Sequence, residues 1–386
     1  MKIAIIGSGI SGLTAAYLLN KQHDITLFER DARIGGHTAT KKVDDQGVTR
    51  HIDTGFIVYN DWTYPNFIRL MKELNVATKP TEMSFSVSCE RTGLEYGGNN
   101  LNTLFAQRKN LVSWSFLSML KDILRFNKES IADLESGRLE PDITLGEYLA
   151  KQGYGDMFAS HYLIPMGSAI WSATLQEMMQ FPLLFFVRFF KNHGLLSVNN
   201  RPQWHVIEGG SAAYLEPITQ TFKERIRLES HIEKVVRTDD GVQVHLEEGS
   251  VEIFDQVVFS CHSDQALALL GDDATDLERE VLSAIPYRDN EVVLHTDTSL
   301  LPKATLAWSS WNYHLGTEKL KPATLSYNMN ILQGIQDSKQ TFVVTLNHTH
   351  WIDPDKIIGR YTYAHPTFTL AGIEAQERWQ EINTDK

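Results

Sequence analysis

The sequence predicts an α/β fold: a Rossmann-like nucleotide-binding domain, discontinuous along the chain, joined to a second, α+β domain. Three observations predict it. Ile3 to Glu29 reads as strand, glycine-rich turn, helix, strand. From about residue 62 to 195 the apolar residues recur largely at helical spacing. From Arg225 onward they recur at the spacing of short strands. The length of 386 residues suits two to three domains. With 42% hydrophobic and 22% charged residues the chain reads as soluble and globular, which excludes disorder, collagen and coiled coil.

Residues 3–6 (Ile-Ala-Ile-Ile) form a run of buried parallel-strand type. Leu13 to Leu19 is a good helical stretch, and Ile25 to Glu29 is a second strand; together they have the size of one βαβ unit. Further on, Trp114 to Phe126 places Phe116, Leu117, Leu120, Ile123 and Leu124 on one side of a helix. Thr144 with Glu147 reads as a capping box that starts another. Arg225 to Leu228 and Ile232 to Val236 look like strands, and Asp239-Asp240-Gly241 turns the chain into an alternating strand from Val242 to Leu246. Phe254 to Phe259 reads as one buried strand, with further strands at Val292–His295, Thr324–Tyr327 and Phe342–Leu346. The tail from Ile373 to Ile382 reads as helical.

The net charge of −12 argues against a protein that tracks nucleic-acid phosphates. Two cysteines, Cys89 and Cys261, exclude a disulfide scaffold and a cysteine zinc site, and they suit a reducing cytoplasm. The first nineteen residues are interrupted by Gly7, Gly9 and Gly12 and do not read as a signal peptide. Met178 to Phe190, the most apolar run, contains Gln180, Pro182 and Arg188 and is too short to span a bilayer. It is a candidate for peripheral contact with a membrane, weakened by the lack of a Lys/Arg stripe.

The turn itself carries the first chemistry. Gly7-Ser8-Gly9-Ile10-Ser11-Gly12 is a Gly-x-Gly-x-x-Gly fingerprint: a tight turn, a close approach to pyrophosphate, and a close helix–strand contact. The helix that follows presents free N–H groups to phosphate. Glu29 follows Gly12 by 17 residues, where an acid accepts hydrogen bonds from a ribose.

The next segment, Arg33-Ile34-Gly35-Gly36-His37-Thr38, resembles the Arg-x-Gly-Gly-Arg signature of flavin enzymes in the amine oxidase and phytoene desaturase superfamily. His37 stands where that family usually has its second arginine. Asp53-Thr54-Gly55 is similar to the family's Asp-x-Gly step near the flavin, with a plain turn or capping role for Asp53 as the competing reading. Glu208 to Tyr214 looks like the family's second Gly-Gly segment, and Asp255 to His262 is similar to its "Ala-Asp-x-Val-Val" strand. Ile226 to Val236 looks like the strand pair whose backbone contacts adenine, with Ile232 as the best position. The strings Asn192–Leu196, Arg201–Trp204, Trp308–Tyr313 and Tyr363–Pro366 resemble a narrower bacterial group of NAD/FAD-binding, amine-oxidase-like proteins. The resemblance implies FAD as cofactor, held by Gly7, Gly9, Ser11, Gly12, Glu29 and Arg30 from the first unit. Arg33, Gly35, Gly36, His37, Thr38, Asp53, Gly55 and Ile232 would add to them. By the same analogy the substrate is small and hydrophobic, an amine or a lipid-like molecule, since that group is often associated with modified fatty acids.

The implied architecture is an FAD-binding domain of glutathione-reductase type, built from residues 1–75, 197–285 and a third part starting at 373–386. The substrate domain would take the mainly helical 76–196 and the strands of 286–372. In the family, the helix matching Ala375 to Ile382 precedes a strand, a glycine-rich loop and a final helix. Those elements need about 25 residues, whereas four follow Ile382 here. The resemblance therefore implies a truncated third part and weakened flavin retention. Flavin chemistry needs neither a metal nor a protein nucleophile. His365 and His193 are the candidates for proton handling, and Trp311, Asn312 and Tyr313 for a cavity wall beside the flavin. Leu183 to Phe186, with Phe189 and Phe190, are candidates for an apolar channel, with core packing as the blander alternative. Two rival functions remain: a cofactor-poor protein acting through binding, and an NAD-dependent dehydrogenase. A doubled glycine at 35–36 has no use in a simple NAD enzyme.

Overall fold

The computed structural model describes residues 1–383, apart from 141, 172, 200 and 318–323. Strand β1 (Lys2–Ile6), helix α1 (Ile10–Leu19) and strand β2 (Asp24–Phe28) form the opening unit. Both strands sit in a four-stranded parallel sheet, ordered Ile226–Arg227, β2, β1, Gln256–Phe259. Ile3, Ile5, Ile25 and Leu27 are buried in one cluster with Leu13 and Ala16 of α1, so one apolar face closes on the helix. Beside this sheet lies an antiparallel one, Ile232–Thr238, Gly241–Leu246 and Val251–Phe254.

Phe254 to Phe259 is thus two strands rather than one. Asp255 makes the break: its carboxylate accepts from Lys2 N–H at 2.6 Å and its own N–H donates to Lys2 O at 2.8 Å. The chain leaves the antiparallel sheet there and enters the parallel one. Of Arg225 to Leu228 only Ile226–Arg227 is strand, because a 3-10 turn over Lys223–Arg225 precedes it.

The second body is a seven-stranded mixed sheet. Its order is Ile357–Pro366, Tyr287–His295, Val343–Leu346, Thr324–Asn328, Trp311–Leu315, Phe85–Cys89, Leu94–Gly97. The last two strands, and Thr78–Thr81 before them, correct the helical reading of residues 62–195. Their signal is local: Phe85, Val87 and Cys89 alternate with Ser86 and Ser88, a period of two inside an otherwise helical region. Val87, Cys89 and Tyr96 face the helices in the largest core, while Ser86 Oγ donates to Asn312 Oδ1 on the other face at 2.9 Å.

The long helix Trp114–Glu135 buries Phe116, Met119, Phe126 and Ser130, whereas Leu117 and Leu124 are exposed. The predicted stripe is therefore rotated by about one residue, or roughly 100°, toward the phenylalanines that meet Tyr96, Tyr148 and Phe186. Thr144 and Glu147 form the expected capping box. The apolar run Met178 to Phe190 breaks at Pro182 into Leu175–Met179 and Leu183–Asn192. Leu183, Phe186 and Phe190 are buried against Trp171 and Phe181, so the helix is core and supplies no channel wall from those positions. Among the described residues no helix is long and apolar enough to cross a membrane.

Candidate active site

The glycine turn closes on itself by contact. A Cβ on Gly12 would lie 1.9 Å from Gly7 O, inside the backbone of its own loop. A Cβ on Gly9 would meet nothing within 4 Å, so the middle of the turn faces an open groove. No side chain caps α1, whose first-turn N–H groups face the same turn. Ser11 is exposed on that first turn. The second glycine pair forms the groove's other side. Gly35 and Gly36 have φ of +107° and +54°, and a Cβ on Gly36 would approach Gly9 Cα at 3.3 Å. Two backbones thus approach where phosphate would pass, without side chains between them.

Glu29 stands beside this groove. Its Oε2 accepts from Ser8 N–H at 3.0 Å and from Ser8 Oγ, and its Oε1 accepts from Asp31 N–H at 2.8 Å. Arg30 points outward and pairs with Asp31 at 3.9 Å. Arg33 turns back on its own loop, donating to Gly36 O at 2.7 Å, Thr38 O at 3.2 Å and Ile34 O at 3.3 Å. It shapes the doubled-glycine turn and leaves a positive charge beside it. Thr38, buried, bonds Tyr214 OH at 2.6 Å and ties this loop to the second Gly-Gly segment. Ile232 packs with Ile6, Val257, Phe259 and Cys261 at the end of the parallel sheet. The groove, the uncapped helix end and the acid fit a dinucleotide.

Asp53 differs from the expectation of a cofactor contact. It is wholly buried, and its oxygens accept from Ser211 N–H at 2.8 and 3.0 Å, Ser211 Oγ at 2.9 Å, Thr40 Oγ1 at 2.6 Å and Gln333 Nε2 at 3.1 Å. Its lone pairs are filled by protein donors, so it staples three segments together. Gly55 has the tighter role: a Cβ there would lie 2.1 Å from His37 O.

His37 opens a ring cluster at the seam between the two bodies. Its imidazole lies 5.4 Å from His365, 5.3 Å from Tyr363 and 5.8 Å from His262. His262 in turn stacks on Tyr287 at 4.4 Å. Burial, then the neighbouring His365 and His262, lower the His37 pKa to about 4; burial also lowers those of His262 and His365. The three rings are neutral at pH 7. Among the described residues no group of three or more His, Cys, Asp or Glu is arranged for a metal ion. Asn347 Nδ2 donates to Asn290 Oδ1 at 2.8 Å, which orients the Asn290 amide so that its Nδ2 faces His365 Nδ1 at 3.1 Å. His365 Nδ1 is therefore an acceptor, and the neutral ring carries its proton on Nε2.

His365 is thus at the seam and His193 is not. His193 ends the helix Leu183–Asn192, with Nδ1 2.9 Å from Phe189 O and its ring stacked on Phe189 at 3.9 Å. It serves as a helix cap. Trp311, Asn312 and Tyr313 do not form one wall either. On a strand successive side chains take opposite faces. Trp311 and Tyr313 pack toward the helices, while Asn312 is buried on the other face, bonded to Ser86 Oγ, Ser309 N, Ser309 O and Ser326 O. Sequence reasoning missed His262, Tyr287 and Tyr363 as site residues. The available signal was the alternation of Tyr361, Tyr363 and His365, which share a face of Ile357–Pro366.

A prediction follows for acid stability. The folded His37 pKa lies below the unfolded value of about 6.5, so the fold binds fewer protons. Its contribution is present above that value and lost as pH falls from about 6.5 toward 4. His37→Gln should flatten this acid limb in thermal melts taken from pH 7 to 4. Melting curves that fall in parallel with wild type would contradict it.

A glycine cradle on a parallel sheet, docked to a mixed sheet across a ring-lined seam, defines a nucleotide-binding α/β scaffold. The sequence model of the flavin-containing amine oxidoreductase family matches residues 10–325. A putative flavin-containing monoamine oxidase of Mycobacterium tuberculosis is 24% identical over 266 residues, 65% of this chain and 54% of the relative. The chain spans about half the length of the curated relatives it matches. A putrescine oxidase triple mutant superimposes with a TM-score of 0.67 at 13% identity, over 99% of this chain and 90% of that one. A CLA-producing fatty acid isomerase from P. acnes gives 0.64 at 16%, over 98% and 90%. At such identities the two structures show a shared fold. The chain belongs to the flavin-containing amine oxidoreductase family, and its cofactor is FAD. That assignment sets aside the NAD-dependent alternative.

Proposed function

We propose that this chain oxidises or desaturates a C–H bond of a hydrophobic substrate, an amine or a lipid-like molecule, at the seam between its two bodies. The observation that carries this reading is His37. The doubled-glycine turn of the nucleotide half places its ring against His365 and Tyr363 on the edge strand of the seven-stranded sheet. FAD, when bound, supplies the chemistry by accepting hydride from the substrate carbon. The chain's residues hold and orient. Gly9 and Gly36 leave room for phosphate, the α1 amides donate to it, and Glu29 offers carboxylate oxygens to ribose hydroxyls. At the seam the rings of His37, His262, His365 and Tyr363 are uncharged at neutral pH, which suits an apolar substrate body. His365, with its proton on Nε2, donates a hydrogen bond there rather than abstracting a proton.

The test is optical. The purified protein should show flavin bands at roughly 370 and 450 nm, directly or after addition of FAD. Anaerobic addition of aliphatic amines and of long-chain fatty acids in separate cuvettes should bleach the 450 nm band with one class. A colourless protein that takes up no FAD would sink the reading, as would bound flavin that neither class reduces.

A further inference from the structure

The seven-stranded sheet borders a cavity at the end away from the nucleotide half. Trp311 packs against a cluster that also contains Ala39 and Ile52 of the nucleotide half, whereas Leu315, about 13 Å further along the same strand at ~3.3 Å per residue, borders a cavity of about 1030 Å³. Cys89 pairs with Leu315 in the neighbouring parallel strand and lines that cavity. Its thiol bonds to His161 and to the side chain and N–H of Thr92.

His161 sits in a π-helical turn, Ala159–Leu163, a distortion that occurs mostly as single turns and frequently at functional sites. Its tautomer follows from its neighbours. Ser160 Oγ donates its one proton to Asp156 O at 2.6 Å, so toward His161 Nδ1, 2.8 Å away, it can only accept. Nδ1 therefore carries the ring proton, and Nε2 accepts from Thr92 Oγ1 at 3.3 Å, the hydroxyl that stands between it and Cys89. Burial raises the thiol's pKa, but the His161 and Thr92 bonds outweigh it and bring it to about 7. Thiol, base and an orienting hydroxyl stand in the order that activates a nucleophile.

A separate observation points to a ligand. Asn110, 4% exposed, lines the same cavity, and among the described residues its amide nitrogen has no hydrogen-bond partner. A buried donor without an acceptor fits an acceptor brought from outside the chain. Met157, Ile164, Met179 and Leu315 supply apolar wall; Arg91, Lys109, Asp156 and His348 are the charged or titratable groups that share it.

We propose that this cavity is a covalent capture site in which Cys89 adds to an α,β-unsaturated carbonyl compound with an apolar body. The thiol proton passes to Thr92 Oγ1 as that hydroxyl gives its own to His161 Nε2, and the sulfur electron pair forms an S–C bond at the β-carbon. The C=C pair moves toward the carbonyl oxygen, which accepts a hydrogen bond from the Asn110 amide. The proton then passes from His161 to the α-carbon. Nothing is oxidised or reduced and no further reactant is needed. Acyl transfer would require a second nucleophile, and disulfide formation a partner thiol; Cys261 lies beyond Gln256–Phe259 in the parallel-sheet body.

The probe is trans-2-nonenal, added to the intact protein, with the adduct located by intact-mass analysis and peptide mapping. One adduct is expected, on Cys89, forming about tenfold or more faster than with glutathione at pH 7.5. Its rate should rise with a midpoint near pH 7. Cys89→Ser should abolish the adduct, and His161→Gln should slow it about tenfold while leaving the flavin spectrum unchanged. If His161→Gln does not fold, Asn110→Ala serves: it should slow addition of nonenal but leave alkylation by iodoacetamide at the wild-type rate. An adduct on Cys261, no adduct, a rate equal to glutathione's, or a midpoint near pH 9 would each overturn the proposal.

Discussion

Asp53→Ala is expected to destabilise the fold by about 3–5 kcal/mol, read as a fall in the urea midpoint with unchanged slope. Its carboxylate is the acceptor that joins Thr40, Ser211 of the second Gly-Gly segment, and Gln333. Alanine leaves the Ser211 N–H buried and unpaired and takes a shared acceptor from Thr40 and Gln333. The same residue makes a pH signature. Burial raises its folded pKa to about 6, although the Thr40 and Ser211 bonds pull the other way; the unfolded value is about 3.9. The fold therefore binds this proton more tightly than the unfolded chain. That stabilisation is complete below pH ~4 and lost as pH rises through about 6, on the order of 2–3 kcal/mol. Asp53→Asn does not titrate there, so the wild-type-minus-Asn stability difference should fall between pH 4 and 6.5. His37 acts in the opposite direction over the same window, and the difference measurement cancels it. A difference that stays level would contradict the burial argument.

Gly12→Ala is expected to abolish flavin retention, with loss of about 1–3 kcal/mol or of folding altogether. The new methyl would sit 1.9 Å from Gly7 O, and backbone must move to admit it. Gly9→Ala is the sharp comparison. Its methyl meets nothing within 4 Å and its φ of −64° suits alanine, so stability should match wild type. The groove would still be narrowed where phosphate passes, and the 450 nm absorbance per chain should drop. Full flavin content in Gly9→Ala would argue against this turn as the phosphate seat. Two changes of the same size, three residues apart, thus separate folding from cofactor binding.

The readable parts of the site share one property: their cause lies within a few residues. Gly7 and Gly12 declare a turn because a left-handed φ at the first and a close approach to Gly7 O at the second both arise inside one hexapeptide, and Thr144 with Glu147 closes a capping box over one turn of helix. Phe85 to Cys89 was legible in principle, since its alternation is visible, but the surrounding helical spacing masked it. Trp311-Asn312-Tyr313 misled for the opposite reason. As a string it looks like one wall, and strand geometry then sends Asn312 to the face away from its neighbours.

By itself, the sequence determined the α/β class, the βαβ nucleotide unit and the glycine groove, because periodicity and turn chemistry act locally. Only the tertiary structure decided that Asp53 is a staple and that His365 joins His37 and His262. Only it brought His161 to Cys89. Those placements depend on which strand lies beside which, and on how burial and neighbouring charge reset each group. Such effects act between residues tens to hundreds of positions apart, and no local pattern along the chain records them.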